Sequence, residues 1–210
     1  MAVLVPYAAA RPKTRLSDFL DSPERVSFSR AMLADVVDAV VDSGGNPTVL
    51  ATEPVELDAD ATVEVDDRPL STAVNDRLAA AADDGDDSTA VVMSDLALAT
   101  PRVLSRFFDA DGDLVVAPGR GGGTNALVVR HPEFRVDYHG TSYLDHLRVA
   151  RDIGASVREF DSMRLSTDID EPEDLVEVLL HTDGRARDWL LDAGFTVDVR
   201  KGRVGVRRER

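Results

Sequence analysis

The stretch from Thr89 to Pro101, TAVVMSDLALATP, constrains the fold most, because an apolar run ends there abruptly in Ser94 and Asp95. A short apolar run bounded by turn residues is typical of a parallel strand that is covered on both faces. We therefore predict a buried strand over Ala90 to Met93. Asp95 would then lie at the carboxyl end of that strand, the edge where open α/β sheets bind ligands. A carboxylate there could hold a metal and its phosphates, or it could simply cap a turn or helix.

The other apolar runs alternate with helical patterns and predict an α/β fold. Further strands are expected at Met1 to Val5, Pro47 to Thr52, Ala61 to Val65 and Leu114 to Ala117. A first helix is expected to begin with Ser22 as its cap and to stop at Gly44. This β-α-β opening implies a parallel sheet with right-handed crossovers. Residues 1–210 contain no linker-like stretch and are expected to form one domain, with 195–210 as a terminal hairpin-like appendage.

Charge and composition exclude several classes of protein. The formal net charge of -15 argues against a general nucleic-acid or anionic-membrane surface, since both need a positive field. No run of about 18 apolar residues occurs, so neither a membrane span nor a signal peptide is predicted, and a cytoplasmic location is expected. The chain has no cysteine, which leaves oxygen and imidazole ligands for any metal. Dispersed aspartates and only two lysines, Lys13 and Lys201, resemble the surface of a protein from a high-salt cytoplasm.

A basic loop follows the first predicted strand. Arg11, Lys13 and Arg15 fall within five residues. Cations in such a loop neutralise phosphate charge, and a following helix N-terminus adds its dipole and free N–H groups. A phosphate-binding loop and a solvated basic turn are both open at this point.

A glycine-rich run follows the strand predicted at Leu114 to Ala117. Arg120 precedes Gly121, Gly122 and Gly123, and Thr124 and Asn125 come next. Glycines let the backbone approach a ligand closely, and each offers an N–H to a phosphate or carboxylate. The spacing matches neither a Walker A loop nor a dinucleotide fingerprint, so a binding loop and a plain glycine hairpin are equally open.

Three other groups of polar residues are candidates for a site. Asp168 and Asp170 stand two apart in a segment expected to be extended at a strand end, so they share a face and could hold Mg²⁺; alternatively Asp170 caps the helix that begins at Glu171. Ser71, Thr72 and Asn75 could bind a nucleoside or could cap their own helix. His139 and His146 could be ligands or acid-base groups, although a lone histidine is more often structural or exposed.

These pieces occur together in an order that resembles one known family. The pieces are the basic loop Arg11 to Leu16, Ser94 and Asp95 with Pro101 after them, the run Gly122 to Leu127 (GGTNAL), Ser142 with His146, and the run Asp168 to Leu175 (DIDEPEDL). Together they look like the 2-phospho-L-lactate guanylyltransferase family, archaeal enzymes of the biosynthesis of the deazaflavin coenzyme F-420. The acidic composition suggests a haloarchaeal source, and the resemblance covers about residues 1–180.

The resemblance implies a fold and a reaction. The fold would be the nucleotidyltransferase fold, GT-A or Rossmann-like, in which helices flank a mostly parallel, mixed central sheet. The reaction would transfer GMP from GTP to 2-phospho-L-lactate, giving lactyl diphosphoguanosine and pyrophosphate. A homodimer is the assembly that the family suggests.

Carried onto this chain, the resemblance also implies site residues. Mg²⁺ would be bound by Asp95, Asp168 and Asp170. The catalytic residues would be Lys13, Arg15 and Asp95, and the nucleotide would be bound by Arg11, Lys13, Ser71, Thr72, Asn75 and Ser94. The phosphorylated acid would be held by Thr124, Gly140 and Ser142.

The chemistry of such a transfer agrees with these residues. The nucleophile in an in-line displacement at the α-phosphorus is already a phosphate anion, so no general base is required. The site must instead neutralise charge and align the reactants. Two alternatives stay open: the same fold acting on phosphoenolpyruvate, a sugar phosphate or the molybdenum cofactor, and a nucleotide-binding protein without turnover.

Overall fold

The computed structural model of the chain describes residues 1–10, 12–85, 87–200 and 202–209. Within these residues a seven-stranded sheet has the order β3-β2-β1-β4-β6-β5-β7. Its strands are β1 (Ala2–Tyr7), β2 (Asn46–Ala51), β3 (Thr62–Val65), β4 (Thr89–Val92), β5 (Leu114–Pro118), β6 (Thr124–Val129) and β7 (Val157–Glu159). Strand β6 runs antiparallel to both of its neighbours, whereas the other pairings are parallel. The expected α/β fold with a mostly parallel, mixed sheet is confirmed.

Helices flank this sheet. They are α1 (Ser22–Asp42), α2 (Leu70–Asp84), α3 (Pro101–Phe108), α4 (Ser142–Asp152), α5 (Met163–Ser166), α6 (Leu175–His181) and α7 (Arg185–Asp192). Two 3-10 turns, Thr14–Leu16 and Pro172–Asp174, lie in the connections. None of the helices in the described part of the chain combines the length and apolar character needed to cross a membrane.

The sheet is buried on both faces, as the apolar runs predict. Along β1, Val3 and Val5 join a core cluster with Val37 of α1, while Leu4 joins a second cluster with Val74 of α2. All five are buried. Burial of each such side chain stabilises the fold by about 1.5–3 kcal/mol relative to full exposure. The loops at the sheet edge are therefore attached to a well-packed core.

The first helix begins one residue before the predicted cap. Asp21, not Ser22, is the N-cap: its side chain accepts from the Glu24 N–H, and the Glu24 carboxylate accepts from the Asp21 N–H in return. Ser22 instead starts the helix, with Pro23 in the first turn. Asp21 is favoured over Ser22 as the N-cap because this reciprocal capping box satisfies two backbone N–H donors at once.

The segment that carries Asp168 and Asp170 is not at a strand end, which corrects the prediction. Strand β7 ends at Glu159, and the short helix α5, capped by the Ser162 hydroxyl, intervenes. Ser162 makes this possible because its side chain accepts from a helix N–H that is otherwise unpaired. Burial alternates along the segment after α5, as it does in an extended chain. Ile169 is buried, and Asp168 and Asp170 on either side of it are partly exposed.

The chain ends in a second, two-stranded sheet. Strands β8 (Phe195–Arg200) and β9 (Arg203–Arg208) pair antiparallel, and Phe195 packs with Phe28 and Leu190 in a third core cluster. Arg208 pairs with Glu24 of the α1 cap. The hairpin is therefore anchored on the N-terminal end of α1, and it also contacts α6, α7 and the turn Pro172–Asp174.

Candidate functional site

The carboxyl edge of the sheet contains a topological switch point between β1 and β4. From β1 the chain moves to β2 and β3 on one side and returns to β4 on the other. The loops that follow β1 and β4 therefore diverge and leave a crevice between them, which is where open α/β sheets bind ligands. The loop with Lys13 leaves β1 at this edge, and Asp95 follows β4 by three residues.

Asp95 joins the end of β4 to the segment that holds the other two predicted metal ligands. Its carbonyl oxygen accepts from the Ile169 N–H at 3.1 Å. Asp168 and Asp170, the neighbours of Ile169, are thereby brought to the same edge. Asp168 and Asp170 thus reach the edge that carries Asp95 on a loop and not on a strand.

Lys13 bridges two of these carboxylates. Its Nζ lies 2.7 Å from Asp95 Oδ2 and 3.2 Å from Asp170 Oδ1, and its side chain is 9% exposed. Burial by itself lowers the pKa of Lys13, but the charges of Asp95 and Asp170 outweigh it and leave that pKa above its ordinary value. Arg15 Nη1 contacts the other Asp170 oxygen at 2.6 Å. The ammonium therefore stays charged, and both predicted catalytic cations lie beside the carboxylates.

The backbone of Lys13 has an unusual conformation. Its φ of 55° is the one positive value of a non-glycine residue in the described part of the chain. A side chain in this left-handed region costs of order 1–3 kcal/mol and persists where its surroundings impose it. The residue with this conformation is the one whose ammonium lies between two carboxylates, and strained residues of this kind cluster at functional sites.

One carboxylate oxygen at this edge lacks a protein partner. Asp95 Oδ1 is buried and has no hydrogen bond, while Asp95 Oδ2 holds Lys13. Such an atom is costly unless a further group satisfies it. A hard cation with oxygen ligands would do so. The described residues form no cluster of three or more potential metal ligands in the present arrangement, and Asp170 is paired with Lys13 and Arg15.

Asn125 positions Asp168, a role that the sequence did not reveal. The Asn125 Nδ2 group donates to Asp168 Oδ1 at 3.1 Å and to the Leu165 carbonyl at 3.0 Å, and the side chain is buried. The backbone carbonyl of Asn125 accepts a hydrogen bond from the Met93 N–H at 3.0 Å. A signal was available, since Asn125 belongs to the GGTNAL run, but its partner Asp168 lies 43 residues away and could not be identified from that run.

The glycine-rich run forms the turn between β5 and β6, so the hairpin alternative is right for its backbone. Gly119 and Gly123 are hydrogen bonded across the turn, and Gly122 has a φ of 82°. So short a connection can join only antiparallel strands, which explains the reversed direction of β6. The Gly122 carbonyl accepts from the Tyr143 N–H, so the turn is attached to the beginning of α4.

Thr124, Ser142 and His146 form a buried polar cluster beside this turn. The Thr124 N–H donates to Ser142 Oγ at 3.0 Å, and Thr124 Oγ1 lies 2.8 Å from His146 Nδ1. His146 Nε2 accepts from the Asp137 N–H at 2.9 Å, so Nδ1 carries the ring proton and donates to Thr124. Burial lowers the pKa of His146 to about 4. His146 is therefore neutral, and the Thr124 and Ser142 oxygens both act as acceptors in this cluster.

A cavity of about 240 Å³ occupies the switch point itself. One wall is mostly apolar and includes Tyr7, Leu50 and Ala73. Ser94 and Asp95 line one part, and Asp66 and Arg68 line another. The cavity thus adjoins the carboxylates and has a second charged pair of its own.

The remaining predicted nucleotide ligands have other partners. The Ser71 hydroxyl accepts from the Tyr138 N–H, and the Asn75 amide makes two hydrogen bonds with the backbone of Val136. These contacts hold the 136–138 segment against α2. Thr72 is exposed, and none of the three is among the residues that line the cavity. Their contact with a base stays a prediction, and Arg11 lies outside the described residues.

Two more predicted residues have simple surroundings. Gly140, in the segment before α4, has a φ of 43° and open space around it. His139 is exposed and contacts the Asp137 carboxylate, an arrangement that does not place it among the converging site residues.

Comparisons with known proteins identify the family of this chain. A family described as guanylyl transferase, CofC-like, matches residues 1–209. A 2-phospho-L-lactate guanylyltransferase of Halomicrobium mukohataei is 60% identical over 208 residues, which cover 99% of this chain and 100% of that protein. The protein of that name from Haloferax volcanii is 58% identical over 211 residues, with 100% of both chains covered.

Solved structures show the same fold at low identity. A nucleotidyl transferase from Methanothermobacter has a TM-score of 0.58 at 17% identity and covers 91% of this chain and 97% of its own. A 2-C-methyl-D-erythritol 4-phosphate cytidylyltransferase from Thermus thermophilus has a TM-score of 0.52 at 17% identity, with 84% and 96% covered. The predicted nucleotidyltransferase fold is confirmed, and the relatives' sources fit the salt-adapted composition.

Proposed function

This chain belongs to the CofC-like guanylyl transferase family, and from that premise we propose that it transfers GMP from GTP to 2-phospho-L-lactate. The products are lactyl diphosphoguanosine and pyrophosphate, in the biosynthesis of coenzyme F-420. The observation that carries the proposal is the convergence of Asp95, Asp170 and Lys13 at the switch point. Carboxylates and a charged ammonium meet there beside a cavity, as transfer from a nucleoside triphosphate requires.

The residues of the site fit Mg²⁺. The donor set is made of carboxylate oxygens, which that ion prefers, and Asp95 Oδ1 is a buried oxygen without a partner. Asp95, Asp168 and Asp170 would hold the ion once Lys13 and Arg15 turn from the carboxylates to the phosphates. The ion would supply charge neutralisation at the α-phosphate and orientation of the acceptor.

Lys13 and Arg15 act on the leaving group in this proposal. Their cationic groups lie at the carboxylates that would face the triphosphate, so a short movement brings them to the β- and γ-phosphates. An acceptor phosphate oxygen forms the new bond to the α-phosphorus. The bond between the α-phosphorus and the oxygen that bridges to the β-phosphate breaks, and pyrophosphate leaves with that oxygen. The negative charge that leaves with pyrophosphate is met by these two cations.

The Thr124 and Ser142 hydroxyls orient the acceptor. Both oxygens already accept a hydrogen bond from the protein, from His146 Nδ1 and the Thr124 N–H. Each hydroxyl therefore has its own proton free to donate to the carboxylate or phosphate of the acid. The neutral state of His146 keeps this arrangement constant through the physiological pH range.

The test is turnover by the full chain in concentrated KCl with Mg²⁺. GTP and 2-phospho-L-lactate should release pyrophosphate and give a product with the mass of lactyl diphosphoguanosine, while phosphoenolpyruvate, a sugar phosphate and the molybdenum cofactor serve as competing acceptors. Preference for another acceptor would overturn the substrate assignment. Nucleotide binding without turnover on any acceptor would overturn the enzyme assignment. A homodimer stays a prediction of the family resemblance, and a cytoplasmic location stays a prediction from the apolar pattern of the sequence.

A further inference from the structure

The polar wall of the switch-point cavity is a fixed ion pair. Asp66 follows β3, where its N–H donates to the Ala51 carbonyl, and Arg68 precedes α2. Both line the cavity whose other wall includes Ser94 and Asp95. Neither residue belongs to a motif that is recognisable in the sequence.

The pair is held in a single geometry by several bonds. Arg68 Nε and Nη2 lie 2.9 Å and 2.6 Å from the two Asp66 oxygens, and the Arg68 N–H also reaches Asp66 Oδ1 at 3.2 Å. Arg68 Nη1 is bound to Asp76 on α2. A two-pronged contact of this kind fixes orientation as well as charge. The hydrogen bond from Arg68 lowers the pKa of Asp66 to about 2, so Asp66 is an acceptor at any working pH.

The pair keeps a small, defined hydrogen-bonding capacity. Arg68 has five N–H groups on its guanidinium, of which one on Nε, one on Nη2 and one on Nη1 are used. An ionised carboxylate has about four acceptor positions. Arg68 fills three of those on Asp66, while Arg77 Nη2 lies 3.8 Å from Asp66 Oδ2, beyond hydrogen-bond distance. The wall therefore offers guanidinium donors beside one remaining acceptor position.

That order of donor and acceptor matches the edge of guanine. Guanine presents the acceptor O6 next to the donor N1–H, whereas adenine presents the donor N6 amino group next to the acceptor N1. Against Asp66 and Arg68, adenine would place lone pair against carboxylate and amino group against guanidinium. A buried polar group left unpaired in this way is strongly disfavoured.

The size of the cavity agrees with a base as its occupant. Pockets for whole drug-sized ligands measure about 300–1,000 Å³, and this one measures about 240 Å³. A base fits, and the sugar and phosphates must extend beyond it, toward Asp95 and Lys13. The base would therefore occupy the cavity, and the phosphates that react would lie in the adjacent part of the same crevice.

Resting on the proposed guanylyl transfer, we propose that Asp66 and Arg68 select guanine, with Arg68 donating to O6 and Asp66 accepting from N1–H. Because Asp66 has one acceptor position left, the pair does not read the 2-amino group. Inosine triphosphate, which keeps O6 and N1–H and lacks that amino group, should therefore replace GTP within about tenfold in kcat/KM. ATP should be used far less well.

The experiment compares GTP, ITP and ATP in wild type and in Arg68→Gln, Arg68→Lys and Asp66→Asn. One mispaired base contact is worth about 5- to 150-fold, so Arg68→Gln and Asp66→Asn should each reduce the GTP-to-ATP ratio of kcat/KM by that range. Arg68→Lys keeps a cationic donor and should retain part of the ratio. Circular dichroism checks that each variant is folded.

Arg185→Gln is the matched control. Arg185 is 44% exposed, as Arg68 is, and pairs with a carboxylate, Asp38, away from the cavity. Its loss should leave the ratio unchanged. Unchanged ratios in folded Arg68→Gln and Asp66→Asn, or an ITP penalty as large as that of ATP, would overturn the assignment.

Direct binding separates this inference from the proposed function. Calorimetric affinities for GDP and ADP test the base contact without any acceptor or turnover. If wild type binds GDP over ADP and the two variants lose that preference, the pair reads guanine even where 2-phospho-L-lactate proves to be the wrong acceptor. If the transfer occurs and GDP and ADP bind all variants alike, only the assignment of Asp66 and Arg68 fails.

Discussion

The Ile169 N–H donates to the Asp95 carbonyl, with 3.1 Å between nitrogen and oxygen. This single backbone bond joins the loop after β4 to the loop after α5, and with them the carboxylates of Asp95, Asp168 and Asp170. Because the bond is made by the main chain, conservative side-chain changes at Asp95 should leave the loop geometry intact. Loss of activity in such variants then reports on the carboxylate itself.

Asp95→Asn should reduce turnover by about 10²–10³-fold without unfolding the chain. The amide keeps the size of the side chain but removes a negative charge that would bind the metal and that now holds Lys13. Removal of one preorganised electrostatic group typically costs about 10²–10³ in kcat. Pyrophosphate release measures the loss, and Asp192→Asn, an exposed residue at the end of α7, is the control. An Asp95→Asn variant with normal activity would refute the metal assignment.

Lys13→Ala should raise the KM for GTP more than the KM for 2-phospho-L-lactate. A hydrogen bond to a charged group contributes about 1.5–3 kcal/mol, so an increase of tenfold or more is expected for GTP. Lys13→Gly separates charge from backbone, because glycine relieves the positive φ of 55° while still lacking the ammonium. Both variants should show the same GTP defect. A larger effect on the acceptor would mean that the two pockets are assigned the wrong way round.

Much of the fold could be predicted because its signals are local. The buried strand β4 (Thr89–Val92) is a short apolar run that was predicted one residue too far along the chain, at Ala90 to Met93, and the terminal hairpin has its glycine turn. The N-cap of α1 was missed because Asp21 and Ser22 are both good caps, and the choice depends on the return contact from Glu24. The direction of β6 could not be predicted, because the glycine run was compatible with both a ligand-binding loop and a hairpin turn. Only the hairpin turn requires β6 to run antiparallel to β5.

The candidate site was predictable only where one residue type implies one chemistry. Carboxylates and basic residues at strand ends pointed to phosphate and metal. Asn125 and the pair of Asp66 and Arg68 could not be found in this way, because their roles arise from partners distant in sequence. Asn75 shows the converse, since a polar side chain expected at the base is engaged with the Val136 backbone.

His146 should make the stability of the fold depend on pH between about 4 and 6.5. Its pKa is lowered to about 4 in the folded chain, whereas an unfolded histidine titrates near 6.5. The unfolded state therefore binds more protons in this window, so the contribution is complete above about pH 6.5 and is lost as pH falls. The shift corresponds to about 3 kcal/mol. Urea unfolding of wild type and His146→Gln across this range measures the difference in slope.

The same residue predicts an effect on the acceptor. In His146→Asn the amide nitrogen can replace Nδ1 as the donor to Thr124, whereas in His146→Gln the amide oxygen can replace Nε2 as the acceptor from Asp137. The glutamine variant should therefore raise the KM for the acceptor more than the asparagine variant does. Equal acceptor affinities in two folded variants would show that His146 does not position Thr124.

Asn125→Asp should raise the Mg²⁺ concentration needed for half-maximal activity. The substitution keeps the shape of the side chain but sets a second carboxylate where an amide now donates to Asp168 Oδ1. Repulsion would move Asp168 away from its present orientation. Asn46→Asp adds the same charge at an exposed position at the start of β2 and should change nothing. A Mg²⁺ titration that is identical for both variants would contradict a positioning role for Asn125.

Gly119→Ala tests whether this positioning depends on the glycine turn. A Cβ at Gly119 would lie 2.4 Å from Asn125 Oδ1, whereas a Cβ at Gly121 would meet nothing within 4 Å. Contacts that short force Asn125 to move, and its bonds to Asp168 and the Leu165 carbonyl would be disturbed. Gly119→Ala should therefore share the raised Mg²⁺ requirement of Asn125→Asp, and Gly121→Ala, in the same turn, should behave as wild type. Matching Mg²⁺ titrations for the two alanine variants would show that close packing on Asn125 has no part in holding Asp168.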